Sequence, residues 1–267
     1  MARTAWDRRP LLLGMVHLLP LPGSPRHRPE RGLAGARWLD QAVRDATLLA
    51  EAGFDGVIVE NLGDAPFFGD DVPDVTVAAL GVAAHAVRRT LPRGALLGVN
   101  VLRNDARAAL AIAAVADADL VRVNVLTGAV VTDQGLLQGH GAEVLRERRC
   151  LAPQVRVLAD VRVKHAAPLA ERPLADEVAD LVERGGADAL VVSGSRTGAP
   201  VDLERLKAVA AAASGRPVLV GSGATPASVR ELLAHADGVI VGTALKRRHR
   251  LDADRARAFV EAARASS

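Results

Sequence analysis

The sequence predicts an α/β chain closed into a (β/α)8 barrel of eight parallel strands. Three observations carry this. Short Val-rich runs recur at even spacing along the 267 residues, Ala/Leu/Arg segments with helical spacing separate them, and the two kinds alternate strictly. A short, continuously apolar, β-branched run is the pattern of a strand buried on both faces. Strict alternation implies parallel strands joined by right-handed crossovers. Eight such units in a chain of about 250 residues fit a closed barrel, the TIM barrel; an open doubly wound sheet is the structural alternative.

The elements follow in order. "LLLGMVHL" (11–18) comes after Arg8-Arg9-Pro10 and before "LPLPGSP", a layout that an export signal can share. It lacks an A-x-A-like cut site, and without it only seven strands remain, so it reads as strand one and a cytoplasmic chain is expected. "GVIVEN" (56–61), "LLGVNVL" (96–102), "LVRVNVL" (120–126) and "VRVLADVRV" (155–163) are strands two to five. "ALVVSG" (189–194), "PVLVGSG" (217–223) and "GVIVGTA" (238–244) are strands six to eight. The helices are expected at 39–53, 74–91, 105–116, 141–150, 175–186, 202–213, 225–236 and 252–265. The first of them ends at Gly53, a C-terminal stop. No linker rich in Gly, Ser and Pro divides the chain. Residues 1–267 are therefore one barrel domain, with residues 1–10 as a flexible N-terminal extension.

Composition narrows the function classes. Aromatics are 2% and Tyr is absent, so the core must be aliphatic. The single Cys150 excludes an internal disulfide framework and a Cys-based zinc cluster. No apolar run reaches the roughly 18 residues that span a bilayer. The net charge of +3 is spread along the chain, and the one basic cluster, "KRRHR" (246–250), reads as a solvated helix start, not a nucleic-acid patch. Only Lys164, Lys207 and Lys246 are lysines among 34 basic residues. A lysine kept where arginine is the rule suggests a tunable pKa or a compact ammonium.

Barrels of this type carry their sites at the C-terminal ends of the strands. There the sequence places His17, then Glu60 and Asn61 with Asp64 beyond, and Asn100 followed by Arg103, Asn104 and Asp105. Arg122 and Asn124, Asp160 with Lys164 and His165, and Ser193 with Ser195, Arg196 and Thr197 continue the series. All four asparagines of the chain, Asn61, Asn100, Asn104 and Asn124, fall at these ends. Alternation puts Asp160, Arg162 and Lys164 on one face of strand five. Such a trio could be a general base with its cations, a metal ligand or a structural ion pair. Glu60 and Asp160 are the residues that could hold Mg2+. The glycine-rich ends "GSGATPAS" (221–228) and "GTALK" (242–246) sit where barrels of this type bind phosphate. Backbone N–H groups and a following helix start would favour an anion there, with Gly221, Ser222, Gly223, Gly242 and Thr243 as the cradle. Two connections, 19–35 and 127–141, are long enough for lids or binding loops, the second carrying Asp133 and Gln134.

The stretches "GMVHLLPLPGSPR", "VENLGDAPF", "GVNVLRNDA", "RVNVLTGAVVTDQG", "ADVRVKHAAPL", "SGSRTGAPVD" and "GSGATP" together resemble the BtpA/SgcQ family. The resemblance implies a barrel of the ribulose-phosphate-binding type. One branch of that family is named for photosystem I biogenesis and described as peripherally membrane-associated. The other is linked to sugar metabolism and to a proposed nucleoside triphosphatase activity. This chain has no Walker A loop, which argues against a P-loop mechanism, and no evident amphipathic membrane helix. The residues point to an enzyme acting on a phosphorylated sugar or nucleotide-like molecule by a lyase, isomerase or glycosyl-transfer step. Asp160, Lys164, Glu60 and His17 would be the acid–base groups, and Asn61, Asn100, Asn124, Arg122, Asp133, Ser193 and Thr197 the substrate contacts. The alternative is a non-catalytic biogenesis factor on the same scaffold. A homo-oligomer and a peripheral membrane association are left open.

Overall fold

Eight Val- and Leu-rich strands close on themselves in the computed structural model, which describes residues 5–29, 36–194 and 199–265. They are β1 (Leu11–His17), β2 (Gly56–Glu60), β3 (Leu96–Asn100), β4 (Leu120–Val123), β5 (Arg156–Val161), β6 (Ala189–Val192), β7 (Val218–Val220) and β8 (Gly238–Val241). Every neighbouring pair is parallel, and β8 returns to β1 with Leu11 opposite Gly238. The closed barrel, not the open sheet, is the fold.

The helices around it are α1 (Arg37–Glu51), α2 (Asp74–Thr90), α3 (Ala106–Ala116), α4 (Gly141–Leu151), α5 (Leu174–Ala179), α6 (Leu203–Ala212), α7 (Val229–Leu233) and α8 (Ala253–Arg264). Gly53 stops α1 with φ +96°, a left-handed turn that costs glycine little. Asp105, Asp202 and Asp252 cap α3, α6 and α8 through their side chains. The α5 segment runs into a π-helical turn, Asp180–Arg184, where one continuous helix was expected.

Strand parity sorts the side chains. Leu11, Leu13, Met15, Ile58, Leu96, Leu120, Leu158, Ala189, Val191, Leu219 and Ile240 fill the barrel interior. Their neighbours of the other parity, such as Leu12, Val57, Leu97 and Val121, pack outward against the helices. Gly98 belongs to the inner set because a Cβ there would stand 2.3 Å from Leu120 Cδ1.

Three expectations need correction. Residues 1–10 are not a flexible extension from Ala5 onward. Ala5–Asp7 form a 3-10 turn, Trp6 is buried at the bottom of the barrel, and Arg156 stacks 4.8 Å over its ring. Closing that end removes apolar side chains of the lowest layer from water, which outweighs the cost of ordering the turn. "KRRHR" does not start a helix: Lys246–Arg247 and Arg250–Leu251 pair antiparallel, with Arg248 and His249 at positive φ. Finally, 127–141, read as a long connecting loop, carries strands of its own. Ala129–Thr132 and Gly135–Gln138 form a hairpin, and Ala166–Pro168 adds a third antiparallel strand. Gly135 turns the hairpin at φ +96°, and Val125, Leu137 and Val163 form a small apolar cluster beneath it.

Candidate active site

The inner parity that is apolar through the lower layers becomes polar at the top. His17 continues the series of Leu11, Leu13 and Met15; Glu60 continues Ile58; Asp160 continues Leu158; Ser193 continues Val191. Arg122 and Asn124 follow Leu120, while Gly221 and Gly242 follow Leu219 and Ile240. Alternation alone thus delivers a ring of polar side chains to one end of an aliphatic barrel. A cavity of about 250 Å³ opens there, walled by Gly221–Thr225 and Gly242–Ala244 on one side and by His17, Glu60, Arg122 and Lys164 on the other. A second cavity, of about 530 Å³, shares Glu60, Leu62, Arg122 and Lys164 with it and extends to Leu102, Arg103, Asn124, Asp133 and His165.

The floor is a closed hydrogen-bonded unit. Arg122 donates to both oxygens of Asp160, Nε to Oδ2 at 3.1 Å and Nη2 to Oδ1 at 2.8 Å. Asn124 Nδ2 donates to Asp160 Oδ2 at 2.5 Å. Asp160 is fully enclosed, with 0% side-chain exposure. Burial works against the charge on Arg122, but Asp160 outweighs it and holds the guanidinium pKa above its ordinary value. Asn100 donates to the Arg122 carbonyl at 2.9 Å, and its own Oδ1 is buried without a partner. Ser193 Oγ meets Arg122 Nη2 at 3.5 Å.

Above this floor stand the groups that can move protons. His17 Nε2 lies 3.6 Å from Glu60 Oε1, too long for a hydrogen bond, so the two face one volume without consuming each other. Lys246 Nζ lies 2.8 Å from His17 Nδ1. An ammonium has only donors to offer, so Nδ1 accepts and the ring proton sits on Nε2, toward Glu60 and the cavity. Burial first, then Lys246, Lys164 and Arg122, push the His17 pKa well below 6.5. His17 is therefore a neutral donor at pH 7. Lys164 has no hydrogen-bond or ion-pair partner for its Nζ among the described residues, and burial pulls its pKa down. Burial likewise lowers Lys246.

The glycines of the other wall are fixed by space. A Cβ on Gly242 would stand 2.6 Å from His17 Cε1; one on Gly221 would meet Val191 Cγ1 at 2.4 Å and Arg122 Nη2 at 3.2 Å; one on Gly223, at φ +81°, would meet the Ala199 carbonyl at 2.1 Å. Around them the N–H groups of Ser222, Gly223, Ala224, Thr243 and Ala244 have no acceptor among the described residues. The helix start expected behind the GSG turn is not at the cradle: α7 begins only at Val229, and a single 3-10 turn, Thr243–Leu245, follows β8.

Other expected residues are placed differently. Strand alternation fails after Val161: Arg162 has φ 51° and pairs with Glu177 at 2.9 Å, away from Asp160 and Lys164. Its charge is spent on α5, because strand pairing has already ended. Asn61 binds the Leu102 backbone through both amide atoms, and Asn104 binds Val125 and Gln138, so both stitch loops together. Asp133 reaches the second cavity from the hairpin turn. Of the pair considered for Mg2+, Glu60 faces His17, while both oxygens of Asp160 are taken by Arg122 and Asn124; no group of three or more His, Cys, Asp or Glu among the described residues is placed to hold a metal. Ser195, Arg196 and Thr197 lie outside the described residues. Two residues absent from the expected acid–base and binding set stand at the site, Lys246 and Arg103. The scarcity of lysine pointed to the first, and the place of the second just after strand three put it in the polar series at the strand ends without giving it a role.

The sequence model of the BtpA family matches residues 8–265. The chain is 44% identical over 262 residues to the photosystem I biogenesis protein BtpA of Synechocystis sp., covering 94% of this chain and 87% of that one. Among solved structures it superimposes on phosphoribosyl anthranilate isomerase of Thermus thermophilus with a TM-score of 0.57 at 14% identity, covering 94% and 98% of the two chains. A native KDPGal structure gives a TM-score of 0.61 at 18% identity, covering 97% of each. These structural likenesses concern the barrel fold. No helix among the described residues is long and apolar enough to cross a membrane.

Proposed function

The chain belongs to the BtpA family, and we propose that it is a one-domain barrel enzyme acting on a phosphorylated sugar or nucleotide-like small molecule. The carrying observation is the two-sided cavity. Glycine-rich strand ends whose N–H groups have no acceptor among the described residues form one wall, and His17, Glu60 and Lys164 form the other. The phosphate sits between the loops after β7 and β8. Gly223 and Thr243 donate backbone N–H groups to it, and the Ser222 and Thr243 hydroxyls assist. The residues behind it are better suited to proton transfer than to nucleophilic substitution. Glu60 removes a proton from carbon next to a carbonyl, and the neutral His17 donates Nε2–H to the oxygen as charge develops there. Lys164 adds a positive charge in the same volume. An isomerase returns the proton to the neighbouring carbon; in a lyase of aldol type Glu60 instead takes the proton of the β-hydroxyl, the Cα–Cβ bond breaks into an aldehyde and an enolate, and the enolate carbon takes that proton up. Asp160 acts through Arg122 and Asn124, which it holds in place. The lone, exposed Cys150 fits a reducing cytoplasm.

The test is thermal protection. Ribose 5-phosphate should raise the melting temperature of the wild type and ribose should not. If no phosphorylated compound protects the fold, the proposal fails.

A second reading comes from the Synechocystis relative, whose name places it in photosystem I biogenesis. In that reading the barrel is a non-catalytic assembly factor. The exposed Val131 and Leu136 of the hairpin, with Phe68 and Leu169 on loops, supply the apolar surface it needs. Recovery of a membrane complex by the wild type and equally by Lys164→Met, with no phosphate compound bound, would favour it.

A further inference from the structure

Among the described residues two guanidinium groups are buried at this end of the barrel, and only one is bonded to a carboxylate. Arg122 is locked to Asp160. Arg103 is 5% exposed, and its one acceptor among the described residues is the Lys164 carbonyl, 2.6 Å from Nη2. Its remaining N–H groups are not sealed in the protein; they open on the second cavity, beside Lys164. Neither acid of that cavity is hydrogen-bonded or ion-paired to Arg103 among the described residues. Asp133 stands on the exposed hairpin turn and accepts from Gln134 Nε2 at 2.5 Å. Glu60 faces His17. A buried guanidinium with one acceptor is costly unless something else meets its fork. Hydrogen bonds within the fold explain the position of Arg103 but not its open side: its backbone N–H is held by Phe68 O at 3.0 Å, and the chain on either side is fixed by Asn61 and Asn104.

We infer that the substrate carries a second anionic group, a carboxylate or another phosphate, held by Arg103 beside Lys164. This rests on the phosphate reading above, because the second cavity shares a wall with the first and the ligand spans both. A planar guanidinium fork matches either anion in a bidentate pair. Burial, despite Asp160, Glu60 and Asp133 nearby, lowers the pKa of Arg103, and a bound anion reverses that penalty. Compounds that end in a neutral aldehyde or hydroxyl leave the fork unmet, and this discriminates against them.

The experiment is calorimetric titration with ribose 5-phosphate, 5-phosphoribonate and ribulose 1,5-bisphosphate. The wild type should bind at least one of the last two about tenfold or more tightly than ribose 5-phosphate. A gain confined to 5-phosphoribonate identifies a carboxylate; a gain confined to the bisphosphate identifies a phosphate. Arg103→Met should bring the affinities level. Arg103→Lys, which keeps the charge and loses the fork, should recover only part of the preference. Equal wild-type affinity for all three overturns the inference and leaves the phosphate reading standing. Failure of all three to bind overturns both. If Arg103→Met does not fold, the wild-type comparison still decides.

Discussion

Lys246 Nζ lies 2.8 Å from His17 Nδ1, across 229 positions of sequence. The bond joins the segment after β8 to the end of β1, and it sets which imidazole nitrogen carries the proton. Removing it in Lys246→Met should let His17 sample the other tautomer, visible in the 15N shifts of the ring. An unchanged Nε2–H tautomer would show that Lys246 does not set it.

The same pair predicts a pH dependence. His17 is held below 6.5, by burial first and Lys246 second. When the folded pKa lies below the unfolded one, the unfolded chain takes up the proton first as pH falls through about 6.5. His17 should therefore subtract stability as pH drops from about 6.5 toward its folded pKa, and impose no such penalty above about 6.5. Lys246→Met, which lifts one of the depressing charges, should lose less over that interval. Denaturant melts of both proteins at about pH 7.5 and about pH 5 make the comparison.

Gly242→Ala puts a methyl 2.6 Å from His17 Cε1 and 3.1 Å from Met15 Cβ. Overpacking of this kind costs about 1–3 kcal/mol. The displaced ring should weaken ribose 5-phosphate binding by more than the stability loss alone explains. Wild-type affinity in the folded variant would show that His17 and the β8 loop are not one unit.

Asp160→Asn removes the charge that Arg122 depends on and should cost about 3–5 kcal/mol, because a buried guanidinium is left uncompensated. Asp160→Leu combined with Arg122→Met should recover part of that loss. Urea midpoints at constant slope measure both. A loss below about 1 kcal/mol for Asp160→Asn would remove Asp160 from the role of holding Arg122.

Trp6→Ala tests the bottom of the barrel. The buried indole, with Arg156 stacked on it, should be worth about 3–5 kcal/mol. Deletion of residues 1–7 should cost as much, and a neutral result would restore the view of a dispensable extension.

The barrel was legible because its signal is collective: eight apolar runs of one parity, each followed by a helix, admit few other packings. The polar ring was legible for the same reason, since His17, Glu60, Arg122 and Asp160 each extend an inner apolar series by one step. Parity misled where the strand stopped, at Val161, and sent Arg162 to the wrong side. Residue type was a poor guide at Asn61, expected among the substrate contacts, whose amide binds the Leu102 backbone that no local pattern reveals. Trp6, Lys246 and Arg103 take their places from contacts with distant chain, Arg156, His17 and Lys164, and such partners are fixed only by the closed barrel.

The central claim is the position of the phosphate. A crystal soaked with ribose 5-phosphate should show the phosphate within hydrogen-bond reach of the Gly223 and Thr243 N–H groups, with the sugar turned toward Glu60, His17 and Lys164. Phosphate bound elsewhere, with the loops after β7 and β8 making no contact to it, would contradict the account.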